Sequence, residues 1–294
     1  MTQITASLVK ELRERTGLGM MECKKALTET EGDLVKAEDL MRIKGGSKAN
    51  KVSGRIAAEG AIAISISADA KQGAIVEVNC ETDFVGKDES FLKFINNVAE
   101  VVNLTNETDI AAISNQKLPQ GETIEEVRQS LIMKLGENIS LRRARKFDAK
   151  GSLAFYLHGN RIGALVDVVN GSPELGKDLA MHIAAVKPVA LSSKDIDANV
   201  LDREREIAKA RAIESGKPEN IVEKIVEGSV QKYLSEVTLY GQVFVKDDKK
   251  SVEKLLNETQ SSVDSFALFV VGEGIEKKVD DFAAEVAAQM ANKS

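Results

Sequence analysis

Gly73-Ala-Ile-Val-Glu-Val-Asn79 and Gly163-Ala-Leu-Val-Asp-Val-Val169 are one phrase written twice, 90 residues apart. Gly86-Lys87-Asp88 returns as Gly176-Lys177-Asp178 at the same offset. Self-similarity at a fixed period implies two copies of one structural unit. Ahead of each phrase lies an alternating run, Ile62, Ile64 and Ile66 in the first copy and Leu153, Phe155 and Leu157 in the second. That period of two is the pattern of a half-buried strand. Behind each phrase comes a helical stripe, Phe91, Ile95, Val98 and Val102, then Leu175, Leu179, Ile183 and Val186. Two hairpins, each followed by a helix, predict a duplicated α+β body of antiparallel strands with packed helices. Its halves are expected at 55–150 and at 151–190 together with 239–274.

Outside the repeat the pattern changes. Residues 1–54 predict three short helices and a linker. Thr5 caps the first, which carries Leu8, Val9 and Leu12 and stops at Gly17; Met20, Cys23 and Leu27 mark the second; Leu34, Ala37 and Met41 mark a third ending at Gly45-Gly46. Residues 45–54 lack apolar periodicity and read as the linker. Residues 191–238 interrupt the second half with a charged stretch carrying a sparse stripe, Val200 and Ile207. A turn at Gly216-Lys217-Pro218 follows, then a return marked by Ile221, Ile225 and Tyr233. That is an antiparallel helical hairpin, either an arm that dimerises or touches a partner, or a merely solvated one. Strands are expected at 239–245 and 263–271. A last helix over 275–294 carries Ile275, Val279, Phe282, Val286 and Met290 on one stripe.

Composition narrows the function. The 294-residue chain has a formal charge of −6, which argues against a general nucleic-acid binder, whose affinity comes from neutralising phosphates. Residues 1–55 hold eleven Lys and Arg against eight Asp and Glu, leaving the basic charge at one end. Cys23 and Cys80 lie 57 residues apart with no Cys-x-x-Cys spacing, so they read as small core residues of a reduced, cytoplasmic protein. No apolar run of signal-peptide or membrane-spanning length is present, and no membrane partner is expected.

The two copies part at one corner. After the first phrase comes Thr82-Asp83-Phe84-Val85; at the same offset the second has Ser172-Pro173-Glu174-Leu175. A large ring beside a carboxylate at a strand-to-helix corner is either a key for a partner's pocket or a ring folded back on its own core. Since the duplicate omits the ring, closing the fold does not demand it. Gly171-Ser-Pro-Glu-Leu-Gly176-Lys177 imitates a phosphate loop, but Pro173 removes an amide donor, Glu174 adds negative charge and Asp178 stands where a hydroxyl is needed. Of the two histidines, His182 falls on an apolar helix face and reads as a packed residue. His158 ends a strand in a turn or contact role. No metal spacing or nucleophile motif accompanies either, and no metal or cofactor is expected.

Ile4-Thr-Ala-Ser-Leu-Val-Lys-Glu-Leu-Arg-Glu-Arg-Thr-Gly17, Gly19-Met-Met-Glu-Cys-Lys-Lys-Ala-Leu27, Glu77-Val-Asn-Cys-Glu-Thr-Asp-Phe-Val85 and Val271-Gly-Glu-Gly-Ile275 closely resemble the bacterial elongation factor Ts family, in order and over essentially the whole chain. The resemblance implies a guanine nucleotide exchange factor, not an enzyme, for elongation factor Tu, the GTPase that delivers aminoacyl-tRNA. In that picture this chain binds no nucleotide. The amino-terminal helices resemble a ubiquitin-associated (UBA-like) module that docks on the GTPase domain through a motif occupied here by Met20, Met21 and Lys24. Thr82, Asp83, Phe84 and Val85 match the motif that inserts beside the nucleotide and leads to loss of Mg²⁺. His158 and Phe244-Val245 match turns facing the rest of the partner, although Lys246 stands where the family often has an apolar residue. Residues 191–238 match the family's dimerisation element, with homodimerisation left open. The rival reading is a translation-associated RNA-binding or scaffold module using the basic amino-terminal segment, which a steep salt dependence would reveal.

Overall fold

The hydroxyl of Thr5 accepts the amide of Leu8 at 3.3 Å and starts α1 (Ala6–Thr16), which ends where Gly17 turns left-handed. The computed structural model describes residues 4–105, 107–216 and 218–276. In it α2 (Met20–Glu29) and α3 (Leu34–Val52) complete the amino-terminal trio, with Asp33 capping α3 through the amide of Lys36 at 3.1 Å. Val9, Leu12, Cys23, Ala26, Leu27, Ala37 and Met41 fill the space between the three helices.

The body is two three-stranded antiparallel sheets. The first has the order β1 (Glu59–Ile66), β2 (Gln72–Cys80), β3 (Ser140–Asp148). Helices α4 (Glu89–Thr105), α5 (Ile110–Ser114) and α6 (Ile124–Leu135) intervene between β2 and β3. The second sheet begins with β4 (Ser152–His158) and β5 (Ile162–Val169). After them come α7 (Pro173–Val186), the hairpin α8 (Ala198–Glu214) and α9 (Glu219–Val237), the ribbon β6 (Val243–Phe244) and β7 (Asp247–Ser251), and α10 (Val252–Glu258). β8 (Ser262–Val270) then pairs with β5. Each half therefore runs strand, strand, helix, as the repeat predicts, and is closed by a third strand, of which the sequence reading placed β8 but not β3.

Strand alternation assigns the two faces of each sheet different jobs. Ile62, Ile75 and Phe147 of the first sheet meet Leu153, Leu165, Ala267 and Phe269 of the second, so the sheets pack face to face. On the outer side of the first, Val76 and Val78 lie under Phe91, Phe94, Ile95, Val98 and Val102 of α4. On the outer side of the second, Ala164, Val166 and Val168 lie under Leu179, Ala180 and Ile183 of α7. The repeated glycine follows from this packing. A Cβ on Gly73 would stand 2.7 Å from Leu153 Cδ1, and one on Gly163 would stand 2.6 Å from Ile62 Cγ2, so each half leaves out a side chain where the other half's strand crosses it.

The repeated acid in the phrase also has a structural reason. Both middle strands carry a bulge at the same place, Glu77/Val78 against β3 and Asp167/Val168 against β8. Glu77 and Asp167 are fully buried there, where an unpaired carboxylate would be very unfavourable. Arg142 (3.0 Å) and Arg143 (2.6 Å) neutralise Glu77, and the amide of Gly272 donates to it at 2.8 Å. Asp167 instead accepts the amides of Lys150 and Gly151 at 2.8 and 3.0 Å.

Three expectations are corrected. Residues 45–54 are not a linker, since α3 runs unbroken through Gly45-Gly46 to Val52. Gly45 lies where α3 meets α6, with its Cβ position 3.6 Å from Gln129 O and from the Met133 side chain. Ala49 and Val52 join the core beneath α4, and Lys48 donates to Met133 O at 2.9 Å. Burial against α6 therefore outweighs the roughly 0.5–1 kcal/mol that each mid-helix glycine costs. In the hairpin, Val200 and Ile221 face solvent, while Ala208, Ala212, Val222 and Val230 form the seam. Of the strand expected over 239–245, only Val243–Phe244 is extended; Leu239 and Tyr240 instead bond back to Ala190 and Leu191. The helix expected over 275–294 lies, beyond Glu276, outside the described residues.

Candidate functional site

The corner after β2 is assembled around Thr82. Its hydroxyl accepts the amide of Val85 at 3.4 Å, and its carbonyl accepts the amide of Gly86 at 3.2 Å and the thiol of Cys80 at 3.1 Å. A single 3-10 turn, Val85–Lys87, follows before Glu89 opens α4. Gly86 lets the turn lie close to β1, since a Cβ there would stand 3.1 Å from Gly60 O. Val85 is 7% exposed and pins the turn to the core, whereas Phe84 is 82% exposed. The ring therefore does not fold back on its own core.

A network external to the corner braces it. Glu137, just after the left-handed Gly136 that ends α6, accepts the amides of Glu81 and Thr82 at 3.1 and 3.0 Å and the Thr82 hydroxyl at 2.6 Å. Glu81 reciprocates by accepting the amide of Asn138 at 2.6 Å and pairing with Arg55 at 3.4 Å. The Asn138 amide group donates in turn to Ser53 O and Arg55 O at 3.3 and 2.8 Å. None of Arg55, Glu81, Glu137 and Asn138 was evident as a site residue from the sequence. Glu137 lies 55 residues from Thr82, and no periodicity or motif links such positions.

Electrostatics at the corner are local. Lys87 holds Asp83 at 2.6 Å and keeps its carboxyl below the usual carboxylate range, with a smaller contribution from Arg161. Burial pushes the Cys80 thiol up to about 12, helped by the charges of Glu137 and Glu59. Cys80 is a donor inside the fold, not a nucleophile.

The His158 turn belongs to the same end of the molecule. Gly159 and Asn160 are both left-handed, and Arg161 N donates to His158 O at 3.1 Å. Ile62 N donates to Asn160 O at 2.8 Å, and the Arg161 guanidinium pairs with Glu59 of β1. His158 itself is exposed, its Nδ1 lying 3.2 Å from the Tyr156 hydroxyl.

The other sequence-derived residues fall on separate elements. Met20 (60% exposed), Met21 (66% exposed) and the exposed Lys24 occupy the solvent face of α2, opposite buried Cys23, Ala26 and Leu27. Phe244 is buried against His182, with ring centroids 5.8 Å apart; Val245 is exposed. His182 is satisfied on both nitrogens. Nδ1 accepts the amide of Val245 at 3.2 Å, which leaves the proton on Nε2 to donate to Gln242 Oε1 at 3.0 Å. Burial lowers its pKa, opposed in part by that Gln242 bond. Lys246 pairs with Asp178 of α7 at 2.5 Å and so ties the ribbon down. In the phosphate-loop imitation, Ser172 caps α7 through the amide of Leu175, Pro173 takes the first helical position and Lys177 is exposed.

The site thus sits on a body made of a duplicated strand-strand-helix unit closed by a third strand in each half, preceded by three helices and carrying an exposed ring on a braced corner. The elongation factor TS family model matches residues 81–273. The chain is 59% identical over 290 residues to the elongation factor Ts of Nitrosomonas eutropha, covering 99% of each chain. It is 58% identical over 292 residues to that of Aromatoleum aromaticum (99% and 98%), and 56% identical over 293 residues to that of Nitrosospira multiformis (99% and 97%). This chain belongs to the elongation factor Ts family, and its work is in the elongation stage of protein synthesis. Among the described residues no helix is long and apolar enough to cross a membrane.

Proposed function

We propose that the chain is the guanine nucleotide exchange factor of elongation factor Tu: it binds the GDP form, dislodges Mg²⁺ and releases GDP without making or breaking a bond. The observation that carries this reading is Phe84, a large ring held 82% exposed by a corner anchored through Glu81, Thr82 and Val85. An exposed ring forgoes about 1.5–3 kcal/mol of burial, which a partner's pocket can recover. Asp83 stands beside it as the charged member of the wedge, while Thr82 and Val85 build the turn. Met20, Met21 and Lys24 dock the partner's GTPase domain, and the His158 turn and Val245 contact the rest of it. Phe244, being buried, acts by fixing Val245.

The thermodynamics need only differential binding. Mg²⁺ and the GDP phosphates are held by a preformed loop arrangement in the partner, so a wedge that fits the distorted arrangement better weakens GDP by that difference. The test is release of a fluorescent GDP analogue from purified elongation factor Tu. Addition of the chain should accelerate it saturably; release unaffected by the chain at any concentration would overturn the reading.

A further inference from the structure

The turn that carries Phe84 does not need Glu137 in order to form. Its counterpart in the second half shows this, because Ser172 accepts the amide of Leu175 and its carbonyl accepts the amide of Gly176 at 3.0 Å, repeating the Thr82-Val85 and Thr82-Gly86 bonds. In the first half a two-way latch is added between residues 81–82 and 137–138. Glu137 accepts the amides of Glu81 and Thr82, and Glu81 accepts the amide of Asn138. The copy with the exposed ring is the one with the latch.

We propose that Glu137 is a positioning residue for Phe84: its carboxylate fixes Thr82, and through Thr82 the direction in which the ring leaves the surface. The inference rests on the exchange reading above. Hydrogen bonds to an ionised carboxylate are about twice as strong as neutral ones, and Glu137 takes three of them from two adjacent residues. A ring on an unlatched turn would still reach its pocket, but would have to be ordered there as the partner distorts. The latch should therefore govern the maximal rate of GDP release more than the concentration of factor needed to half-saturate it.

The experiment compares the full chain with Glu137→Ala, Glu137→Gln and Thr82→Val. Three quantities are read: hydrogen exchange of the Glu81, Thr82 and Val85 amides in the free chain, the maximal rate and half-saturating concentration for GDP release, and the melting temperature. Glu137→Ala should expose those amides to faster exchange and lower the maximal rate by roughly tenfold, with less than about a threefold change in half-saturation. Glu137→Gln keeps one acceptor oxygen and should recover part of both losses. Thr82→Val, which removes the hydroxyl's bond to Glu137 and also the turn's own bond from the Val85 amide, keeps the test open should Glu137→Ala fold poorly; read at the Glu81 and Thr82 amides alone, it should show the same split at smaller amplitude. Unchanged amide protection in Glu137→Ala, or a maximal rate equal to that of the unmodified chain, overturns the inference. So does a loss that tracks melting temperature alone. Failure of the unmodified chain to accelerate release would instead overturn the exchange reading, while the amide data still decide whether Glu137 holds the corner.

Discussion

Replacing Phe84 with alanine separates a wedge from a core residue. The ring is 82% exposed in the free chain, so its removal deletes almost no internal packing. The melting temperature should move by less than about 2 °C, since 1 kcal/mol shifts a chain of this size by roughly 2–4 °C. In the complex the ring can bring about 150–250 Å² to the interface, a ceiling of roughly 4–6 kcal/mol at 25 cal/mol per Å². Ordering and desolvation reduce that, and truncation of an interface anchor typically costs about 2–4 kcal/mol. In rate this corresponds to roughly 30- to 1,000-fold slower GDP release. The assay is stopped-flow release of a fluorescent GDP analogue, paired with thermal unfolding of the same samples. A fall in melting temperature above about 10 °C, with exchange lost only in proportion to unfolded chain, would refute the reasoning. So would exchange at the unmodified rate.

Lys177→Ala should leave both stability and GDP release nearly unchanged, because Lys177 is exposed and the loop before it offers no phosphate cradle; saturable GDP binding by the isolated chain would contradict this. Met20→Ala with Met21→Ala should raise the half-saturating concentration in the release assay without lowering the melting temperature, as both side chains lie on the solvent face of α2. Gly163→Ala should destabilise by about 1–3 kcal/mol in urea titration, because its Cβ would stand 2.6 Å from Ile62 Cγ2 in a packed interface. For pH, burial holds the folded His182 pKa below its ordinary 6.5, so the unfolded chain takes up that proton first. Stability should therefore decline as pH falls through about 6.5. His182→Gln should flatten that part of the profile in urea titrations at pH 5 to 8, and an identical slope in the variant would sink the assignment.

Much of this architecture is legible in the sequence because the repeat is carried by residues with local reasons. Gly73 and Gly163 permit the sheets to cross, and the alternation around them sets which face each strand buries. Thr5 and Gly17 mark helix ends by chemistry that acts within a few residues. The linker reading failed at Gly45-Gly46 because glycine is weak in a helix in isolation, whereas here α6, some 85 residues on, supplies the surface that Gly45 fits against. The hairpin stripe failed at Val200 and Ile221 for a related reason: two charged helices can approach over small residues, so Ala208, Ala212, Val222 and Val230 take the seam while those two face solvent.

At the candidate site, the exposed ring could be anticipated from its absence in the duplicate, but its support could not. Glu137 and Asn138 reach the corner only because α6 ends at Gly136 and β3 must start beside β2. Phe244 shows the reverse limit. A residue in a matching motif reads as a contact, yet it is buried against His182, leaving Val245 to face outward.

The central claim, that the chain displaces GDP by preferring a distorted partner, is tested most directly by a thermodynamic cycle on elongation factor Tu. Four dissociation constants close it: GDP from the partner with and without the chain, and the chain from the partner with and without GDP. Linkage requires the chain to weaken GDP by the same factor by which GDP weakens the chain. The account predicts equal factors well above one, both reduced toward one by Phe84→Ala. A chain that binds GDP-loaded and nucleotide-free partner equally well, leaving GDP affinity unchanged, would contradict it.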